Sequence, residues 1–468
     1  MTFSKLDDAF DIELFRTEGK NMIDQLAGQM KAAMDMELPV LKLTSPEEEL
    51  KFWSDYQWQD QSNFFETVFE RSIRLHHPRY IGHQVSVPVP STALAGLFSD
   101  LYNNGMGIYE MGSAATAMER VIIKEMASKL GFDDLADGFL TSGGTLANLT
   151  CLLAARATQQ MEDENPVILV SDQAHYCIER AAITMGLGKK SVIQIKSDKD
   201  FKMSIDDLFD AFKSIKAQGR KILCVVACSC STGTGSYDDL NAIGSFCESE
   251  GLWFHVDGAH GGAAAFSSKY WARTEGIFRA DSVVIDLHKM MLTPALATAV
   301  LFKKGQDSYR SFGHKASYIF EQEENEWYNL AKRTYETTKY MMSIKFFLLI
   351  KKYGWDIIDE FVSQQYDLAL DMASYIDAQE DFEIAHRPES NIICFRFVPE
   401  SGSVEEANRM NRLLRKMVIE EGKFYIVQAE LNGILYLRLT VMNPLTELAH
   451  LMELLSHLRD LNHQITHD

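Results

Sequence analysis

A lysine next to a histidine at the end of an apolar run is the first chemical signal in this chain: Asp281-Ser282-Val283-Val284-Ile285-Asp286-Leu287-His288-Lys289. A lysine partly desolvated in a cleft has a lowered pKa and can form an imine with a carbonyl. A solvated loop lysine has the same local look. Upstream stands Leu140-Thr141-Ser142-Gly143-Gly144-Thr145-Leu146-Ala147-Asn148, followed by the helical run Leu149–Arg156. Small hydroxylated residues and paired glycines at a helix start expose backbone N–H groups, which suits a phosphate. An ordinary capped glycine turn is the alternative. In Trp253-Phe254-His255-Val256-Asp257-Gly258-Ala259-His260 an apolar strand ends in Asp followed by tiny residues. That puts a carboxylate at the carboxyl edge of a parallel sheet, where open α/β folds bind ligands. Asp257 there can pair with a protonated pyridine nitrogen, and the small residues let a flat ring lie close; it can equally cap the next turn. Ser171-Asp172-Gln173-Ala174-His175-Tyr176 sets a histidine soon after a strand, fit to stack on an aromatic ring or to make a structural hydrogen bond. Each signal is modest alone. Their order is the stronger argument: phosphate loop, ring histidine, ring-nitrogen aspartate, imine lysine, all at strand ends.

The elements that must position these residues are legible between about Tyr80 and Phe320. Short β-branched runs (Val167–Val170, Ser191–Ile195, Ile222–Ala227, Leu252–Val256, Ser282–Ile285, Thr298–Phe302) alternate with helical stretches and glycine clusters. This pattern predicts an α/β domain with a mostly parallel sheet. The first 75 or so residues read as helices, with Ser45-Pro46-Glu47-Glu48 as a capping signature. That segment is rich in charges and aromatics and too poor a core former to stand alone, so it must pack on something. A compact α+β unit is expected at the end, with strands near Ile392–Val398, Phe424–Gln428 and Leu435–Val441 and a final helix from Leu445. Three regions result: a helical arm over 1–75, a large α/β domain over 76–345 and a small α+β domain over 346–468.

Composition bounds the partners. At 468 residues and 46% hydrophobic, the chain can bury more than one core. A formal charge of −20 argues against nucleic acid or an anionic membrane surface. No apolar run approaches the ~20 residues that span a bilayer, and the N-terminus lacks a basic-then-apolar leader. Seven scattered cysteines read as reduced thiols, so a cytoplasmic protein without a metal site is expected.

From about residue 70 to about 445 the chain resembles the pyridoxal-phosphate group II amino-acid decarboxylases, the family of glutamate, aromatic-L-amino-acid, cysteine-sulfinate and L-2,4-diaminobutyrate decarboxylases. The Ser-Gly-Gly-Thr loop, the Asp-Gln-Ala-His box, the His-Val-Asp-x-Ala strand and the His-Lys box carry the resemblance. It implies a type I, aspartate aminotransferase-like fold: a mostly parallel sheet, an N-terminal helical dimerisation arm and a small C-terminal domain, working as a homodimer with shared active sites. It implies pyridoxal 5'-phosphate bound to Lys289 as a Schiff base, with Asp257 at the pyridine nitrogen, His175 stacked on the ring and Ala259 on its other face. Phosphate contacts fall to Ser142, Gly143, Gly144 and Thr145, with His288 beside them and Thr232 and Asp286 also near the cofactor. Tyr318, in Ala316-Ser317-Tyr318-Ile319-Phe320, matches the tyrosine that protonates the substrate carbon after carbon dioxide leaves. Arg438 matches the arginine that holds a substrate carboxylate, with a structural salt bridge as its alternative; His83 and Gln84 match a segment lining the substrate pocket. The implied reaction turns an L-amino acid into its amine and carbon dioxide, the substrate being L-2,4-diaminobutyrate, glutamate or a related small amino acid. The Asn104-Gly105-Met106…Glu119 run leans to the acidic and sulfinate branch, the Arg333-Thr334…Glu336…Lys339 run to diaminobutyrate-type members. An aminotransferase, an aldehyde-forming decarboxylase and a non-catalytic dimeric scaffold are the rivals. Two departures stand out: Asp286-Leu287 where many members have Asn-Pro, and Cys230-Ser231-Thr232 where Gly-Thr-Thr is usual.

Overall fold

Apolar runs in the middle of the chain become the strands of one sheet in a computed structural model that describes residues 4–162, 164–312, 326–399 and 403–467. They are β1 Asp137–Thr141, β2 Val167–Ser171, β3 Val192–Ile195, β4 Ile222–Cys228, β5 Trp253–Asp257, β6 Ser282–Asp286 and β7 Thr298–Phe302. Their order is β1-β7-β6-β5-β4-β2-β3. β7 alone runs against the rest, pairing antiparallel with β1 and β6, while the β2–β3, β2–β4, β4–β5 and β5–β6 pairs are parallel. Every residue of β1, β2 and β4 to β7 is buried, as expected for a sheet covered on both faces.

The sequence pattern anticipates six of these strands and misses β1. Its Asp-Gly-Phe-Leu-Thr segment lacks a β-branched run, and a glycine inside a strand usually argues against the assignment. Gly138 is there because a Cβ would come within 1.9 Å of the Val300 carbonyl oxygen. Close backbone approach, not propensity, decides this strand.

Backbone contacts divide the chain into two units. The larger, Gln84–Leu370 with His386–Ile393, holds the seven-stranded sheet. The smaller takes the described residues up to His83, Asp371–Ala385 and those from Cys394 onward. A four-stranded sheet, with β8 Phe382–Ile384, β9 Ile392–Phe397, β10 Val427–Leu431 and β11 Ile434–Thr440, has the order β10-β11-β9-β8. Asn432 and Gly433, both at positive φ, turn β10 into β11. The N-terminal segment forms helices Lys5–Ala9, Ile12–Met34, Pro46–Asp55 and Gln61–Arg71, in which Ala33 alone is buried. Ser45 caps the third: its hydroxyl accepts from the Glu48 N–H, and the Glu48 carboxylate accepts from the Ser45 N–H.

Candidate active site

The carboxyl ends of β1, β4, β5 and β6 open into a cavity of about 470 Å³, within the roughly 300–1,000 Å³ typical of small-molecule sites. All eleven residues expected around the cofactor line it: Ser142, Gly143, Gly144, Thr145, His175, Thr232, Asp257, Ala259, Asp286, His288 and Lys289. The whole lining belongs to the larger unit. Gln84 belongs to that unit but is not part of the lining, and His83 and Arg438 belong to the smaller one. Tyr318 lies outside the described residues.

At one end of the cavity the helix Gly144–Thr158 begins without a side-chain cap, on Gly143 at φ +132. Its first N–H groups are therefore available to an anion. A Cβ at Gly144 would sit 3.3 Å from both Asp286 carboxylate oxygens, so glycine keeps this corner open. The Ser142 hydroxyl donates to Glu336 at 3.1 Å, as does Thr141 at 2.9 Å.

Lys289 Nζ lies 3.0 Å from Asp286 Oδ2. Thr298 donates to Oδ1 at 2.5 Å, and His288 Nε2 stands 3.7 Å from Oδ2. The sequence led us to expect a lysine of lowered pKa, and the structure corrects that. Burial does push the ammonium down, but the Asp286 and Asp257 carboxylates outweigh it, and Lys289 sits above its ordinary value. Asp286 is buried, which opposes its charge; Lys289 and His288 nevertheless hold it below the usual carboxylate range. The lysine waits as an ion pair.

Asp257 ends β5. Its Oδ1 accepts the Ala259 N–H at 3.2 Å, and the Ala259 carbonyl in turn accepts the Asp286 N–H at 3.0 Å, tying the two strand ends together. His175 Nδ1 accepts the Cys177 N–H at 3.3 Å. Burial lowers the His175 pKa against the pull of Asp257, so its ring is neutral near pH 7.

Several polar residues at the site have no role assigned from sequence, Asn148, Arg180 and Thr184 in the lining and Glu336 behind Ser142 among them. Asn148 donates to Asp257 Oδ2 at 3.1 Å, and Glu336 anchors Ser142. The available signal for Asn148 was a polar side chain one turn into an otherwise apolar helix start. Glu336 stands in the Arg333-Thr334…Glu336…Lys339 run, but nothing local links it to Ser142, 194 residues away.

An uncapped helix start for a phosphate, a lysine amine, a buried carboxylate and a small residue beside it are the complement of pyridoxal phosphate, so the residues present fit that group. The comparisons agree. Residues 72–398 match the model of the pyridoxal-dependent decarboxylase conserved domain. The chain belongs to this family. It is accordingly a pyridoxal 5'-phosphate-dependent amino-acid decarboxylase, a lyase. It is similar to an aromatic-L-amino-acid decarboxylase of Bacillus atrophaeus, 28% identical over 85% of this chain and 84% of that one. An L-2,4-diaminobutyrate decarboxylase of Acinetobacter baumannii is 26% identical over 85% and 82% of the two chains. A cysteine sulfinic acid decarboxylase of Rattus norvegicus is 28% identical over 89% and 90%. In fold, the crystal structure of mouse CSAD superposes with a TM-score of 0.89 at 24% identity, covering 96% of this chain and 98% of that one. Among the described residues no helix is long and apolar enough to cross a membrane.

Proposed function

We propose that the protein converts a small L-amino acid with a charged side chain, of the diaminobutyrate, glutamate or cysteine sulfinate kind, into its amine and carbon dioxide. The observation that carries this reading is the meeting of Lys289, Asp257 and His175 on one cavity that begins at an uncapped helix. Pyridoxal phosphate, when bound, supplies an electron sink into which the bond to the α-carboxylate can break. Lys289 is the amine that would hold the cofactor. Asp257 would pair with the ring nitrogen, His175 and Ala259 would hold the ring, and Thr232 and His288 would border it. The first turn of Gly144–Thr158, Thr145 included, would hold the phosphate together with Ser142. For Asp286 the role is to hold the Lys289 proton until the cofactor arrives. Tyr318 is the proton donor to the α-carbon, and Arg438, His83 and Gln84 select the substrate.

Arg180 and Thr184 on the cavity wall favour a polar substrate side chain over an aromatic one. The exposed stripe Leu94, Leu97, Phe98 and Leu101, at one-turn spacing on helix Pro90–Tyr102, favours a second copy of the chain as its cover. The test is a carbon dioxide release screen over the proteinogenic amino acids, diaminobutyrate and cysteine sulfinate, with Lys289→Ala as control. Release of carbon dioxide with the matching amine, abolished in Lys289→Ala, is the expected result. Ammonia with an aldehyde, or a requirement for a keto acid, overturns the reaction; an aromatic substrate overturns the substrate class.

A further inference from the structure

Asp257 stands at the end of a buried chain of hydrogen bonds that runs back through the sheet. Trp253 Nε1–H donates to Ser282 Oγ at 3.0 Å, and Ser282 Oγ lies 2.8 Å from His255 Nδ1. His255 Nε2 lies 2.7 Å from Asn148 Oδ1, and Asn148 Nδ2 donates to Asp257 Oδ2 at 3.1 Å. Asn148, His255 and Ser282 are each 1% exposed or less.

Chemistry gives the chain one direction. An indole can only donate, and an amide oxygen can only accept. His255 must therefore carry its proton on Nε2. Burial lowers its pKa to about 4, so the ring is neutral and its Nδ1 is left as an acceptor for the Ser282 hydroxyl. Turning the Asn148 amide over would set its oxygen against the Asp257 carboxylate and lose the 3.4 Å contact of Nδ2 with Cys177 Sγ. The network can thus offer Asp257 only a donor. With the Ala259 N–H on Oδ1 and the Cys177 thiol 4.0 Å from Oδ2, donors from the protein fix the plane of the carboxylate and leave a lone pair for the ring N–H.

We infer that Asn148, oriented through His255 and Ser282, is a positioning residue that aims the Asp257 carboxylate at the ring N–H of the cofactor. This rests on the proposed pairing of Asp257 with the ring nitrogen. It adds that the pairing is set by a side chain of the cavity wall that is itself aimed from behind, by His255 and Ser282, which are not part of the lining.

The experiment titrates the purified protein, stripped of cofactor, with pyridoxal phosphate and with its N1-methyl analogue. The analogue keeps the ring charge but has no ring N–H to be accepted. Asn148→Leu keeps the volume and removes the donor; Asn148→Asp replaces donor by acceptor; Ser282→Ala breaks the far end. Both Asn148 variants are expected to bind pyridoxal phosphate about tenfold or more weakly and to shift its bound absorption band. Their kcat should fall with little change in KM for the amino acid. Ser282→Ala should move the same quantities less. For the analogue, variant and parent should bind alike, because the bond that the network serves is missing. An equal loss with both cofactors would mean that Asn148 is only a packing residue and would overturn the inference, as would an unchanged affinity and band. Asp257→Asn separates the two levels. If it leaves affinity and band unaltered, the ring-nitrogen reading itself fails; if it alters them while Asn148→Leu does not, only the positioning role fails. Should Asn148→Leu not fold, Asn148→Asp and Ser282→Ala carry the same comparison.

Discussion

The two units of the chain hold their candidate functional groups in different ways. In the larger, the cofactor residues stand at the ends of fully buried strands, and backbone hydrogen bonds such as those of Ala259 lock one strand end to the next. In the smaller, the candidates for substrate recognition, His83 and Arg438, are side chains of which one feels the charge of the other. Burial lowers the His83 pKa, and the positive charges of Arg438 and Arg415 lower it further. Four N-terminal helices of the same unit bury Ala33 alone. The difference teaches that cofactor chemistry is built on the least deformable part of the fold.

Arg438 offers the sharpest break of that comparison. It is buried on β11, where its charge is felt by His83 and by the Cys394 thiol. If it holds a substrate carboxylate, Arg438→Gln should raise KM by about 10- to 100-fold, the range for a lost hydrogen bond to a charged group. Cofactor affinity should stay put. A lower melting temperature with unchanged KM would instead make Arg438 a salt-bridge residue of its own sheet, and selectivity would have to be sought elsewhere.

Asp286→Asn probes the other side. The Lys289 amine is raised by Asp286, so its neutral, imine-forming fraction appears only at alkaline pH. Removing that carboxylate should speed cofactor capture severalfold near pH 7, followed as growth of the imine absorbance. The sign is fixed by the pair: the effect should vanish at high pH, where the parent lysine is itself neutral. KM for the amino acid should not follow. If capture slows at every pH instead, Asp286 is needed to orient the lysine, not to hold its proton.

Legibility in the sequence follows the same division. Strands β2 and β4 to β7 could be located because strands buried on both faces demand continuous apolar runs, and His175, Asp257 and Lys289 could be ordered because they stand at or just after the ends of those runs. β1 was hidden because Gly138 answers to the Val300 carbonyl across the sheet, a contact with no local signature. Asn148 and Glu336 were missed for a related reason: their partners, Asp257 and Ser142, lie 109 and 194 residues away. The raised Lys289 was misjudged because desolvation can be guessed from an apolar run, whereas the identity of the nearest charge cannot. Local capping, by contrast, was fully legible at Ser45.

Ser45→Ala makes the smallest change and tests how far the two regions are energetically separate. The capping box satisfies the Glu48 and Ser45 N–H groups at the start of Pro46–Asp55, a helix with no buried residue to hold it otherwise. Loss of the cap should cost about 1 kcal/mol, roughly a fivefold gain in opening of that helix. Hydrogen exchange resolves it: amides of Pro46–Asp55 should exchange faster, while those of β4 and β5 keep their protection. The reason is that the strands are secured by burial on both faces and the helix by its ends. If protection in β4 and β5 falls by the same factor, the helices and the sheet open together, and the N-terminal segment is part of what keeps the strand ends, and so Asp257 and Lys289, in place.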